Sequence, residues 1–304
     1  MNNLLSKILP TVAIIVSAVF STSAQNSDSS ARISDNLKQN IVIIEPSDIE
    51  EFKLNEISAQ DVAANDLAAT SMVTRTVKIS DNFKGLEVSG IATVKLSQGD
   101  KTSVEIKAIP EAIERTKFEV KKGVLKIYTT NKGNNNGLGT ITVSITMPVV
   151  ESLEFSGATS LKMQTNLQCA SLEVEGTGAT SMLFKNIYCT NLELDMTGAV
   201  NCLIPKVDVK KCDMDFSGAA NVKVDQITAS DIEIDSSGAA TTKVHNINCN
   251  NLECEASGAT NVYLSGKCTN LEAESSGAAN LNFKKELTVT GSMSTSTWGA
   301  AKIR

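Results

Sequence analysis

The sequence repeats one short phrase, Ser/Thr-Gly-Ala, at nearly constant spacing through its second half. The glycines of this repeat are Gly157, Gly178, Gly198, Gly218, Gly238, Gly258, Gly277 and Gly299. Successive glycines lie 19 to 22 residues apart. A fixed period of this length is typical of solenoids, in which each repeat buries its apolar side chains only against its neighbours. Residues 151–304 are therefore predicted to form a regular rod of stacked coils.

Polar and apolar residues alternate on both sides of each glycine. With the glycine as position zero, positions −6, −4 and −2 are mostly apolar or small, and positions +4 and +6 are mostly apolar, as in Val222 and Val224. This period of two is typical of a strand with one buried and one solvated face. A third apolar position at +9 or +10 indicates another short strand, so each repeat holds three.

Two arrangements can fit three short strands into one repeat. A stack of hairpins needs tight two-residue turns such as Asn-Gly, and no such turn recurs here. Pairing each strand with its equivalent in the next coil gives a parallel β-helix, with strands about 4.8 Å apart. The sequence therefore predicts an all-β fold, a right-handed parallel β-helix of about 20-residue coils, with glycine at a bend that a side chain would hinder.

Residues 1–24 have the composition of a secretory signal peptide. Lys7 precedes an apolar segment, and small residues lead to a predicted cleavage site between Ala24 and Gln25. The apolar segment is short and interrupted for a membrane span, so no span is expected after removal of the signal. These features predict an exported protein, located in the periplasm, on the outer surface or in the medium.

The region between the signal peptide and the regular repeats is expected to have two parts. Residues 25–74 are polar and acidic with little periodicity, which predicts a partly disordered arm or linker. Residues 75–150 contain alternating segments and an early copy of the corner phrase at Gly90. They are predicted to form an N-terminal β segment and the first, irregular coils, with a short helical turn at Pro110–Arg115.

The repeated corner and the upstream segment Phe83–Gly90, in an exported chain, resemble a known family. It is the putative auto-transporter adhesin head domain family, also called the head GIN domain, and the resemblance covers roughly residues 75–304. The resemblance implies an exported β-helix with an adhesin-like role. It supplies no catalytic or ligand-binding residues.

Positions −5 and −3 are acidic in nearly every coil, and in a parallel β-helix they form two columns on one outer face. The ten central members are Glu173, Glu175, Glu193, Asp195, Asp213, Asp215, Glu233, Asp235, Glu253 and Glu255; Glu154, Glu272 and Glu274 extend the columns. Clustered carboxylates favour a divalent ion such as Ca²⁺, or a basic partner. The alternative is a solvated face that keeps the sheet soluble. No other cofactor is predicted.

The chain has seven cysteines, and four of them share nearly one phase of the repeat. Cys169 with Cys189, and Cys249 with Cys268, are expected to stack on consecutive coils at a distance that a disulfide can span. Cysteine is also a good small core residue. The sequence favours buried thiols and leaves two disulfides as the alternative.

Trp298 replaces Ser/Thr at the last corner. It is predicted to cap the final layer of the core, because single aromatic residues mostly pack. The alternative is a platform on which a sugar ring stacks.

Signatures of enzymes are missing from the sequence. His245 is the only histidine, no Gly-x-Ser-x-Gly motif is near it, and aromatic residues are only 4%. The prediction is a non-enzymatic interaction module whose partner is an unknown protein or glycan at the cell surface. Two alternatives remain, a carbohydrate-active enzyme (a polysaccharide lyase or hydrolase) and an envelope scaffold without a ligand. The net charge of −6 argues against nucleic-acid binding.

Overall fold

A computed structural model describes residues 72–130, 138–283 and 286–304. The predicted signal peptide, its cleavage site at Ala24 and Gln25, and the arm up to residue 71 lie outside the described residues.

The strands form one continuous sheet that winds into a solenoid of about eight turns. The N-terminal elements are β1 (Val73–Thr76), β2 (Gly85–Gln98), β3 (Ser103–Ala108), α1 (Pro110–Arg115), β4 (Thr116–Lys121), β5 (Val124–Thr129) and β6 (Ile141–Met147). The next are β7 (Ser152–Met163), β8 (Leu167–Gln168), β9 (Ser171–Leu183), β10 (Ile187–Tyr188), β11 (Asn191–Gly198), β12 (Asn201–Ile204), β13 (Val207–Asp208), β14 (Lys211–Gly218) and β15 (Asn221–Val224). The last are β16 (Ile227–Thr228), β17 (Asp231–Ser236), β18 (Thr241–Ala256), β19 (Asn261–Ser275), β20 (Asn280–Asn282), β21 (Leu287–Val289), β22 (Met293–Thr297) and β23 (Lys302–Ile303).

Each regular coil contributes three strands that pair in parallel with their equivalents in the next coil. The strands β11, β12 and β13 of one coil pair with β14, β15 and β16 of the following coil. The register follows the sequence repeat, so that Gly198 lies opposite Gly218 and Leu192 opposite Cys212. The predicted parallel β-helix is therefore confirmed.

The N-terminal coils are irregular, as predicted, and part of their pairing is antiparallel. Strand β2 pairs in parallel with β7 on one side and with β5 and β6 on the other. Beyond that layer, β4 pairs antiparallel with β5, and β3 pairs antiparallel with both β6 and β1. The turn between β4 and β5 has positive φ at Lys122 (52°) and Gly123 (78°), as tight hairpins of type I′ require. Helix α1 buries Ala112 and Ile113 at this end of the core.

The core is a continuous column of apolar side chains inside the coils. Phe155, Phe184 and Phe216 are among its largest fully buried members. Small core residues in one coil lie beside large core residues in the next coil. A Cβ at Gly176 would lie 2.9 Å from Sδ of Met196 in the next coil, so the glycine leaves the space that the methionine fills.

The glycine corners stack directly on one another. The eight repeat glycines have φ between 72° and 112°, which disfavours any other residue. A Cβ on any of them would lie 2.6–3.0 Å from the carbonyl oxygen of the glycine one coil earlier. The following alanine donates its N–H to that same oxygen, for example from Ala219 to Gly198 at 2.8 Å. Glycine is therefore needed for the close approach of two backbones as well as for the bend.

Candidate binding face

The predicted acidic columns exist and are in register. On the outer side of one sheet, Glu173 lies opposite Glu193, which lies opposite Asp213. Because parallel strands place equivalent residues side by side, each carboxylate has an acidic neighbour in both adjacent coils through the middle of the rod. We call this surface the acidic face. It consists of Glu87, Glu154, Glu173, Glu175, Glu193, Asp195, Asp213, Asp215, Glu233, Asp235, Glu253, Glu255, Glu272 and Glu274.

The two ends of the acidic face differ from its middle. Glu87 lies opposite Glu154 and extends the −3 column by one coil, a member that the sequence reasoning missed. The signal for it was present, because Glu87 precedes Gly90 at the same −3 position. On its other side Glu87 lies opposite Lys126 and forms an ion pair with it. In the last coil the columns end at neutral serines, Ser294 and Ser296.

Few lysines neutralise the acidic face. Every carboxylate in it is exposed or half-buried. Within the described ranges, two ion pairs reach the face, Lys126 with Glu87 and Lys211 Nζ with Asp213 Oδ2 at 3.5 Å. Most of its negative charge is therefore presented to solvent and available to a partner.

Stacking and partial burial shift the protonation of the most crowded carboxylates. For Asp235, burial and then the charges of Glu255 and Glu233 raise the pKa to about 6. Burial followed by acidic neighbours also raises the pKa of Glu175, Asp215 and Glu253. A positive group bound here would lower the pKa of these carboxylates, because it stabilises their charged form.

A groove of about 410 Å³ lies on the acidic face near its C-terminal end. One wall is a chain of hydrogen bonds along the corner: Asn251 Nδ2 donates to Asp231 Oδ1 at 2.6 Å, Asn270 Nδ2 to Asn251 Oδ1 at 2.9 Å, and Ser292 Oγ to Asn270 Oδ1 at 2.8 Å. Glu233, Glu253 and Glu272 of the acidic face also line the groove. The sequence reasoning missed this polar chain, because its residue types vary from coil to coil.

Across the described residues, no three His, Cys, Asp or Glu side chains converge in a way that could hold a metal ion. The carboxylates of the acidic face run in lines and do not surround a point. The predicted Ca²⁺ site on the ten central residues stays a prediction. It is tested by the melting temperature with calcium and with a chelator.

All seven cysteines are free thiols in the structure. Cys202, Cys212, Cys249, Cys254 and Cys268 are buried, as the sequence favoured, whereas Cys169 and Cys189 are half-buried. The stacking of Cys249 on Cys268 is confirmed by their pairing in register.

The only histidine has a structural partner. His245 Nδ1 lies 3.1 Å from Ser265 Oγ in the next coil, where the two groups share a hydrogen bond. Among the described residues no helix has the length and apolar character needed to cross a membrane.

Trp298 does not cap the core, and the prediction that it does is wrong. Its side chain is 56% exposed, although its N–H donates to Ser275 O at 3.0 Å. The reason is the alternation of the strand. In the preceding coils the residue at −2 is buried and the residue at −1 lies on the outer surface, on the same side as the acidic face, and Trp298 keeps this placement.

Because Trp298 is the only tryptophan, intrinsic fluorescence reports its surroundings directly. We expect an emission maximum close to that of indole in water, strong quenching by acrylamide, and little change on unfolding in urea. A blue-shifted emission that is protected from acrylamide would mean that the indole packs over the core.

Comparison with known proteins supports the fold. The family model described as "Putative auto-transporter adhesin, head GIN domain" matches residues 82–246 and 212–304. No curated protein matches the sequence. A crystal structure of a putative adhesin from Parabacteroides distasonis superposes with a TM-score of 0.69 at 15% identity, covering 77% of this chain and 97% of that chain. A putative adhesin from Parabacteroides merdae gives 0.65 at 14%, covering 76% and 95%.

A third similar structure carries a different description. A putative lipid binding protein from Parabacteroides distasonis superposes with a TM-score of 0.64 at 22% identity, covering 76% of this chain and 95% of that chain. At these identities the three structures show a shared fold. The family model is more informative, since its two matches together span 223 of the 304 residues, from 82 to 304. The chain belongs to the family of putative auto-transporter adhesin head GIN domains.

Proposed function

We propose that this protein is an exported, non-enzymatic interaction module of the adhesin type, and that it binds a basic protein surface across the acidic face. The observation that carries the proposal is the unbroken register of the two carboxylate columns, to which only two lysines of the described residues are paired. Membership of an adhesin head family supports the general role.

The acidic face costs stability when it is unoccupied. Like charges on neighbouring strands repel, by up to roughly 1 kcal/mol per contact in water. A partner that carries lysine or arginine at similar spacing relieves this repulsion along the whole length of the rod. Many weak contacts then act together, and the field of the face accelerates the encounter.

The location that fits this role is outside the cytoplasm. The predicted signal peptide at residues 1–24 and the family description both support export. We propose the outer surface, the place where an adhesin meets its partner, over the periplasm and the medium.

The two alternative functions make different demands on the structure. A carbohydrate-active enzyme needs carboxylates that depart from the repeat within a groove, whereas the described carboxylates beside the groove follow the repeat. A scaffold without a ligand does not need a face of one charge. Turnover of any glycan by the purified chain would contradict the proposal.

The test measures binding to immobilised poly-lysine, with the chain that starts at Gln25, over a range of sodium chloride concentrations. We expect binding that weakens steeply with salt. The triple variant Asp215→Asn, Asp235→Asn, Glu255→Gln removes three negative charges from the middle of the acidic face and is expected to bind at least about tenfold more weakly.

The matched control removes the same charge elsewhere. Asp208→Asn, Asp225→Asn, Glu105→Gln changes three carboxylates that lie outside the acidic face, and it should keep nearly full affinity. Equal losses in the two variants would show that net charge alone attracts the probe, and the assignment to this face would be wrong.

A further inference from the structure

Two pairs of cysteines stack at the bend that follows the third strand of each coil. Cys249 lies opposite Cys268 in register. Cys169 and Cys189 directly follow the paired residues Gln168 and Tyr188, and the N–H of Cys169 donates to the carbonyl of Tyr188 at 3.2 Å. Adjacent parallel strands lie about 4.8 Å apart, within the range of Cα separations that disulfides span.

The two pairs differ in their access to solvent. Cys249 is 7% exposed and Cys268 is fully buried, so a redox partner cannot reach them in the folded chain. Cys169 and Cys189 are both half-buried and lie at the surface of the corner. Cys189 Sγ also donates a hydrogen bond to Asn191 O at 3.2 Å, which holds the thiol at the corner.

We propose that Cys169 and Cys189 are an oxidation site, at which a disulfide joins two consecutive coils of the folded protein while Cys249 and Cys268 stay reduced. The oxidant is a disulfide-containing molecule. The Cys169 thiolate attacks one of its sulfur atoms, a mixed disulfide forms, and the first thiolate leaves. Cys189 then loses its proton and attacks Cys169 Sγ, which releases the second thiolate. Two thiols of the protein are oxidised and one disulfide of the oxidant is reduced to two thiols.

The surroundings of the pair are consistent with this order of attack. Contact with the Cys189 thiol lowers the pKa of Cys169, although burial and the charge of Glu151 act in the opposite direction. Contact with the Cys169 sulfur and burial raise the pKa of Cys189, so Cys169 is the first of the two to lose its proton. By contrast, burial raises the pKa of Cys249 to about 12, so this thiol stays protonated as well as covered.

The test incubates the folded chain from Gln25 with oxidised glutathione, blocks the remaining thiols, and maps the peptides by mass spectrometry. We expect a peptide pair joined through Cys169 and Cys189, lighter by two hydrogen atoms than the reduced pair. Five of the seven cysteines should then be alkylated only after unfolding. Because the bond closes a loop of about 20 residues, the melting temperature should rise by roughly 5 °C or more.

Two variants separate this site from general thiol oxidation. Cys189→Ser removes the resolving thiol, so Cys169 should accumulate as a stable mixed disulfide with glutathione. Cys249→Ala should leave the bond between Cys169 and Cys189 unchanged. The proposal is wrong if the wild-type chain shows only separate glutathione adducts at Cys169 and Cys189, if Cys249 and Cys268 are joined first, or if all seven thiols persist.

Discussion

Replacing Gly238 with alanine is expected to destabilise the protein by about 2–5 kcal/mol. The φ of this glycine is 78°, and an alanine there costs about 1–2 kcal/mol in backbone strain. Its Cβ would also lie 2.7 Å from the carbonyl oxygen of Gly218, so two coils must separate. Forced separation in a packed structure adds roughly 1–3 kcal/mol. The midpoint of urea unfolding, followed by circular dichroism at a strand wavelength, measures the loss.

The chain contains a closely matched control for this experiment. Gly123, in the turn between β4 and β5, also has a φ of 78°, but a Cβ there would meet nothing within 4 Å. Gly123→Ala should therefore cost only the strain of about 1–2 kcal/mol. The difference between the two variants isolates the contact between stacked corners. Equal losses would mean that the corner glycines are needed only for their backbone angle.

Replacing Asp235 with asparagine is expected to stabilise the protein at pH 7. Asp235 lies between Asp215 and Glu255, and an amide removes the repulsion while it preserves the shape of the side chain. The carboxylate is half-buried, and screening by solvent limits the expected gain to roughly 1 kcal/mol. Urea unfolding at pH 7 and at pH 4 measures it.

The gain should depend on pH in a definite direction. The folded chain raises the pKa of Asp235 to about 6 from an ordinary value of 3.8, so between these values the folded state holds a proton that the unfolded state releases. The contribution of this group to stability is therefore highest at low pH and is lost as the pH rises from about 3.8 to about 6. The advantage of Asp235→Asn should nearly vanish at pH 4.

Asp208→Asn is the control for this effect. Asp208 lies on another side of the rod, between Tyr188 and Thr228, with no acidic residue opposite it in either adjacent coil. Its removal should leave stability nearly unchanged at pH 7. If Asp208→Asn stabilised the protein as much as Asp235→Asn, the gain would come from net charge and not from stacking.

The fixed period of the repeat is the reason that this fold can be predicted from the sequence. Because one register relates all the coils, the spacing from Gly198 to Gly218 is enough to predict that Glu193 lies beside Asp213. The same reasoning does not predict strand pairing in the irregular N-terminal coils, where the period is lost. Nothing in the repeat spacing indicates that β3 pairs antiparallel with β1 and β6, which are distant in sequence. The hairpin of β4 and β5 does have a local signal, the turn at Lys122 and Gly123, but this signal lies outside the repeat.

Side-chain exposure was harder to predict than position. The alternation that places position −1 on the outer surface also applies to Trp298, but the general tendency of aromatic residues to pack led to the opposite prediction. Likewise, the phase of the repeat predicts that Cys169 stacks with Cys189. It does not predict that these thiols are half-buried while Cys249 and Cys268 are covered, because solvent access at a corner depends on how each coil bends.

The in-register stacking of the coils has a consequence for how such a protein can change over evolutionary time. Each regular coil touches mainly the coils above and below it, and every coil presents the same edges to its neighbours. Duplication of a gene segment that encodes one coil would lengthen the molecule by about 4.8 Å and add another pair of acidic residues. Gain or loss of whole coils can thus adjust the length of the rod and the number of its binding groups in small increments, without the invention of a new core.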